Sequence, residues 1–460
     1  MNHHAINSLS LKHDFSPVLK LAIPLILTGA FQSSLGFFEN IFLAHLGREV
    51  LAASALVSWL FFTMISIIFG TLSSVNVLIS HRYGAKDHEG VTLVLRDAFL
   101  LALLLTLPTF LLFWYASDIL SLFGQKPELV ALAKLYLHAL AWGLFPKFLL
   151  IVSFELVIGL GHSRTIMVFT ILSIPLYILF SYVLIFGKFG FPMLAIAGAG
   201  WGMTFADWII ATIVCILLWL SKTYKRYIRS IFTLVKPFYL WELLCIGVPM
   251  GAMFCVETGY FFLMTLAMGW ISVATLAANQ IAFQYLGFLT SVVFSISQAL
   301  TVRMGHLLGA NEFNGAKRSA YAGIILSLVF MLLIAQLYWF FPGILISVDL
   351  NINNHANSET VHLATLFLFI CGFFQIFESI RLSLFGALRG LKDTKFTLIT
   401  SIIGFWCISL PIGYLFSIPL SFGGAGFWWA MVAGAFCSVI LLYKRFCFII
   451  SRSSMTPKFL

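Results

Sequence analysis

The stretch IGVPMGAMFCVETGYFFLMTLAMG, residues 246–269, decides how this chain is built. It holds one charged side chain, Glu257, close to its centre. A helix crossing a bilayer needs about 20 predominantly apolar residues, so the stretch is long enough to cross. A charge at that depth costs roughly 2.5–3.5 kcal/mol or more unless it is paired, hydrated or protonated. A chain that keeps such a group has a use for it.

The rest of the chain follows the same pattern. Of its 460 residues 61% are hydrophobic and 10% charged, against roughly 25% charged in soluble domains. Twelve apolar runs are each long enough to cross: 17–43, 51–79, 93–117, 130–158, 166–186, 194–220, 241–268, 271–300, 318–346, 360–388, 396–418 and 423–448. No segment is left for a soluble domain of ordinary size. The opening MNHHAINSLSLKHDFS lacks the short apolar core and cleavage site of a signal peptide, so none is expected. The seven cysteines lie in apolar runs without paired spacing and read as small core residues.

The net charge of +10 invites a nucleic-acid reading, but its distribution excludes it. With the N-terminus placed inside, 21 of the 27 Lys and Arg fall on that side. Arg48, Lys126, Lys134 and Lys188 fall opposite, and Lys147 and Arg381 lie within spans. This asymmetry follows the positive-inside rule. It predicts a multi-pass protein of a bacterial inner (cytoplasmic) membrane with both termini cytoplasmic.

The chain also repeats itself. GAKDHEG at 84–90 matches GANEFNG at 309–315, and Pro24 in LAIPLI matches Pro249 in IGVPMG, both at an offset of 225. GLGHSRT at 159–165 pairs with RGLKDTK at 389–395, and GAGW at 198–201 with GAGF at 424–427. Matches in order at near-constant spacing predict two homologous halves. The fold class expected is an all-α membrane protein, its twelve transmembrane helices in two six-helix bundles related by a pseudo-two-fold axis along the membrane normal. The domains expected are an N-terminal lobe at 1–220, a cytoplasmic linker at 221–240 and a C-terminal lobe at 241–460.

Five acids lie within spans: Glu39, Glu155, Asp207, Glu257 and Glu378. Glu155 reads as structural, near the end of its helix and within reach of headgroups or Arg164. Glu257 and Glu378 sit mid-helix, where snorkelling reaches poorly, and Arg381 is one turn from Glu378 on the same face. A buried carboxyl can hold a proton near neutral pH and lose it on hydration. With nearby hydroxyl and carbonyl oxygens it can also take sodium. Asp207 divides evenly between a satisfied polar contact and a coupling role. Pro24 and Pro249 free helical carbonyls and permit bends for gating. Tyr260, with neighbouring Met and Phe, suits a greasy cavity for aromatic cations. No phosphate-binding loop, nucleophile motif or metal-ligand spacing is present, so neither an enzyme nor a resident cofactor is expected.

The chain resembles the multidrug and toxin extrusion (MATE) transporters, most closely their NorM branch. The resemblance is carried by LAIPLILTGAFQSSLGFFENIFLAHLGREVLAASAL at 21–56, VRMGHLLGANEFNGAKR at 302–318 and FFQIFESIRLSLFGALRGLKDT at 373–394. It implies proton- or sodium-driven export of cationic drugs and toxins by a monomer. It places the family's cation-coupling acids on Glu39, Glu257 and Glu378, with Tyr177 and Ser181 in supporting positions and Thr204 beside a third. Three departures stand out. Glu39 and Glu378 replace the usual Asp; Tyr177 and Ser181 replace helix-five asparagines; Met203 replaces a helix-six threonine, with Thr204 and Asp207 beside it. Sodium needs several hard oxygens and Met supplies none. Proton coupling is therefore favoured, with Glu257 and Glu378 the sodium ligands if sodium is used. The alternatives are an exporter of one natural product such as a siderophore, or a lipid-linked flippase of related fold, which would want a basic cavity.

Overall fold

The computed structural model of the chain describes residues 8–122, 124–228, 237–352 and 354–453. Helices follow one another with short joints: α1 Ser8–Ala44, α2 Arg48–Leu72, α3 Ser74–Gly84, α4 His88–Leu122, α5 Pro127–Ala141, α6 Leu144–Gly159, α7 Ser163–Phe186, α8 Ala195–Leu220 and the short α9 Lys225–Ile228. Then come α10 Leu240–Ile271, α11 Val273–Gly309, α12 Phe313–Phe340, α13 Pro342–Asp349, α14 Ser358–Gly390 and α15 Thr394–Ser401. A π-helix at Ile402–Ser409 leads directly into α16 Leu410–Ser417, and α17 Gly424–Ser453 closes the series. Among the described residues no strand occurs, as hydrocarbon demands of a chain that is not a barrel.

Eleven helical stretches among these residues are long and apolar enough to cross a membrane, or up to twelve if one bent pair counts as a span. The bent pair is α5 and α6, which meet at 49° where the sequence shows one apolar run at 130–158. The break at Trp142 and Gly143 is stabilised from α8. The Thr204 hydroxyl donates to the Ala139 carbonyl at 2.7 Å, and the Trp208 indole N–H donates to the Trp142 carbonyl at 3.2 Å. Carbonyls freed by a bend must find such donors inside a bilayer.

Two compact units divide the chain: Leu27–Gly251, and Ala252–Leu460 together with Met1–Ile26. The division falls within α1 and α10, just past Pro24 and Pro249, and not in the 221–240 segment where the sequence placed the boundary. A proline leaves the carbonyl four residues earlier without its helical donor. Each helix thus carries a proline shortly before the point where unit membership changes.

In the first unit α7 packs on α8, α5 on α4 and α8, and α3 on α6. The linker residues described here are tied to it. Tyr224 bonds His162 Nδ1 at 3.0 Å, Tyr227 bonds His88 Nδ1 at 2.9 Å, and Asp97 Oδ2 accepts from the backbone N–H of Phe238 and Tyr239 at 2.7 and 2.6 Å. Burial lowers the basicity of His162 from its ordinary value, so its neutral ring meets the tyrosine. Residues 229–236 of the linker lie outside the described residues.

In the second unit α14 is central, flanked by α11, α12 and α17. Small polar residues draw the helices together: Ser297 donates to Leu382 O at 2.7 Å, Thr301 to Gly386 O at 2.9 Å, and Ser383 to Ser327 at 2.8 Å. Such hydroxyls are the adhesive of helices that gain little from hydrophobic burial in lipid.

The repeat is visible at the joints. Four helices end at Gly84, Gly159, Gly309 and Gly390. The second residue after each is left-handed: Lys86 at φ 59°, Gly161 at 83°, Asn311 at 61° and Lys392 at 61°. Each joint makes the same two bonds, Lys86 N–H to Tyr83 O and Asp87 N–H to Arg82 O in the first, Lys392 N–H to Arg389 O and Asp393 N–H to Leu388 O in the last. This is the Schellman arrangement, which satisfies the last carbonyls of a helix. GAKD, GLGH, GANE and GLKD are four spellings of one turn. Left-handed backbone costs a branched residue about 1–2 kcal/mol. Gly161→Val is therefore expected to lower the melting temperature of the detergent-solubilised protein, while Lys86→Gly leaves it unchanged or raises it. Equal melting of the two variants would show that these joints do not constrain the fold.

Candidate cation site

Three helices of the second unit converge on one guanidinium. Glu378 and Arg381 lie one turn apart on α14, so their side chains meet without help from elsewhere. Arg381 Nε donates to Glu378 Oε2 at 2.7 Å and Nη2 to Oε1 at 2.6 Å, a two-pronged pairing. Its Nη1 donates to Glu257 Oε1 of α10 at 2.7 Å and to Ser401 Oγ of α15 at 3.2 Å. Ser401 in turn donates to Glu257 Oε1 at 2.9 Å. The side chains of Arg381, Glu378 and Glu257 are 2, 7 and 13% exposed. Phe405, in the π-helix, lies 5.1 Å from the guanidinium.

The charge count decides what this cluster can do. Two carboxylates share one fixed base, so with both ionised the cluster carries one negative charge in excess. Taking two charges out of water is seldom repaid by their attraction alone. One proton or one external cation removes the excess. Among the described residues, each bond to Glu257 falls on Oε1, and Arg381 takes up both oxygens of Glu378.

In the first unit the expected residues fall into two groups. Glu39 of α1 accepts a hydrogen bond from the Tyr136 hydroxyl of α5, a residue the sequence reading passed over. Asp207 of α8, 3% exposed, is paired with Lys147 of α6, whose Nζ lies 3.1 and 2.9 Å from its two oxygens. Tyr177 of α7 donates to the same carboxylate. The Lys147 ammonium also stands 5.8 and 5.7 Å from the rings of Phe61 and Tyr177, within cation–π range, and is close enough to act electrostatically on Glu39.

The structure thus brings Glu257, Glu378 and Arg381 together, and Asp207 with Tyr177. The hydroxyl that bonds Glu39 is that of Tyr136. Thr204 braces the α5–α6 bend, and Ser181 is buried where Gly202 packs against its backbone. Tyr260 is fully buried, its ring 5.1 Å from that of Phe405, which lies against the guanidinium. Pro24 and Pro249 are buried within their helices. Glu155 accepts from the Asn76 amide, deep in the unit. Lys147 was legible as an unexplained base within a span. Ser401 and Tyr136 carry no charge and gave no signal.

Comparison with known proteins agrees with this frame. The MatE family model matches residues 24–183 and 249–415, two stretches opening at the paired prolines. The probable multidrug resistance protein NorM of Synechocystis is 29% identical over 440 residues, 95% of each chain. Its namesake in Rhizobium meliloti is 31% identical over 454 residues, 96% of this chain and 95% of that one. Among solved structures, an outward-facing multidrug resistance MATE family transporter of the MOP superfamily shares the fold with a TM-score of 0.85. The match covers 98% of this chain and 100% of that one at 18% identity. Matched along both halves, the chain belongs to the MatE family of membrane transporters.

Proposed function

We propose that the protein exports organic cations, drugs among them, across the bacterial inner membrane by alternating access in exchange for protons. The observation that carries this reading is the excess carboxylate of the Glu257–Arg381–Glu378 cluster. Ionised, the cluster attracts an organic cation into a low-dielectric site. Protonated, it is neutral and lets the cation go. Exchange follows because the two occupants relieve the same charge. Relatives named as multidrug resistance proteins support the substrate class.

Arg381 favours the proton over sodium. Its N–H groups already fill three of the four carboxylate oxygens, whereas a hard cation needs several free ones. In the first unit, Glu39, which accepts a hydrogen bond from the Tyr136 hydroxyl, is the second coupling carboxyl. Asp207 is balanced by Lys147 and serves as a structural tie. A flippase for anionic lipid-linked substrates would keep its buried bases available, but Lys147 and Arg381 are each committed to carboxylates.

Glu257→Gln leaves the Arg381–Glu378 pair neutral and intact. It is expected to abolish resistance conferred by expression while the protein remains folded in membranes; unchanged efflux would refute the assignment. In proteoliposomes, a pH gradient should drive uptake of a fluorescent organic cation without sodium, and strict sodium dependence would overturn the choice of ion. Lys147→Met strands the Asp207 charge, at a cost of roughly 3–5 kcal/mol. It should lower thermal stability sharply, and Lys147→Met/Asp207→Asn should recover most of the loss.

A further inference from the structure

The winding of the π-helix at Ile402–Ser409 is not one that the membrane requires. Turns closing i→i+5 are rare and are found mostly as single turns at functional sites; here the run is eight residues long. Pro411 lies just beyond it, and a proline ring crowds the carbonyl four residues back, which favours a widened turn upstream. The winding has a consequence for side-chain direction. In an α-helix Ser401 and Trp406 would project roughly 140° apart. An i→i+5 turn brings residues five apart to one side. In this structure Ser401 reaches Glu257 and Arg381, Phe405 lies against Arg381, and the Trp406 indole donates to the Val256 carbonyl at 2.9 Å. Ser401 and Trp406 therefore bear on Glu257 and on its immediate neighbour in α10, and Phe405 on the guanidinium that Glu257 shares. The far end is held by Ser409, which donates to Ala430 O of α17 at 3.0 Å and to Gly404 O at 2.8 Å. Gly404 and Gly434 meet there so closely that a Cβ on Gly434 would lie 2.3 Å from Gly404 O.

Ser401 differs from its neighbours. Thr397 and Thr400 turn their hydroxyls back to carbonyls of their own helix, Thr394 O at 2.6 Å and Phe396 O at 2.8 Å, the usual resting place for such groups in a span. Ser401 leaves its helix for a carboxylate. A hydrogen bond to an ionised acceptor is roughly twice as strong as a neutral one, so this choice depends on the charge of Glu257.

We propose that Ser401 is a positioning residue of the coupling site, and that the π-helix following it stays wound only while Glu257 is ionised. This rests on Glu257 being the carboxyl that takes up the coupling proton. When the proton adds to Glu257, the carboxylate becomes neutral and no covalent bond breaks. The Ser401 hydroxyl then returns to its own helix, and the segment relaxes toward α. Trp406 swings off Val256. Protonation is in this way converted into a change of helix register beside α10. Among the described residues, the charged groups facing Glu257 are Arg381 and Glu378 of α14. Ser401 of α15 bonds it, and Cys255 and Tyr260 are the nearest titratable groups along α10.

The test is proton-driven uptake of ethidium into proteoliposomes by the full chain, with equilibrium ethidium binding measured in parallel. Ser401→Ala is expected to slow uptake roughly tenfold, the rate equivalent of one hydrogen bond to a charged group, while binding stays within about twofold. Loss of a donor to the ionised carboxylate should also move the pH midpoint of uptake upward by about half a unit to one unit. Ser401→Thr, which keeps the hydroxyl, should restore both rate and midpoint. Trp406→Phe, at an exposed position, should slow uptake severalfold without moving the midpoint. Ser401→Ala with the parent rate and pH profile, beside an inactive Glu257→Gln, would overturn this inference and leave the coupling assignment standing. Parent-like uptake by Trp406→Phe would overturn the role of the π-helix. An active Glu257→Gln would bring down the coupling assignment itself.

Discussion

One guanidinium placed between two carboxylates in a low-dielectric interior is the constraint on which the second unit depends. Arg381 is almost wholly buried and spends its donors on three helices at once. Removing either acid leaves it still neutralised by the other, whereas removing the base would leave two like charges facing each other. A buried triad of this kind is weak evidence for stability, since well-packed apolar residues often serve as well. Its value lies in an unbalanced count that a proton or a cation can complete. The first unit solves the same problem differently: Asp207 is balanced outright by Lys147, and Glu39 is held by a phenol.

The hydroxyl groups give a second view of how the helices are joined. Most Ser and Thr in the spans, Ser33, Ser66, Thr106 and Thr265 among them, donate to a carbonyl one turn back in their own helix. Others reach a neighbouring helix, Thr301 and Ser409 in addition to a carbonyl of their own, and mark the joints. Thr204 holds a bend, Ser297 and Thr301 hold α11 to α14, Ser409 holds the π-helix to α17, and Ser401 reaches a charge. A hydroxyl that leaves its helix in lipid has found a better acceptor, which makes it a guide to where elements depend on one another.

Much of this was legible in the sequence. The apolar runs gave the helices, and the three-residue spacing of Glu378 and Arg381 gave half of the cluster. The isolation of Glu257 in its span marked the rest as a candidate site. The partners across helices were not legible, because Lys147 and Asp207 lie 60 positions apart and Ser401 lies 144 from Glu257; only packing brings them together. The break between α5 and α6 was hidden by an apolar run that continues straight through it. Tyr177 and Ser181 show the limit of reasoning by position: the resemblance implies that both support Glu39, yet Tyr177 bonds Asp207 and Ser181 packs against Gly202.

The four left-handed joints leave a historical trace. A membrane span accepts almost any greasy residue, so its sequence drifts quickly and the memory of duplication fades. A corner that needs one backbone angle, and an acid or imidazole straight after it, admits few spellings. In this chain the record of how one half became two survives at the corners, in GAKD, GLGH, GANE and GLKD.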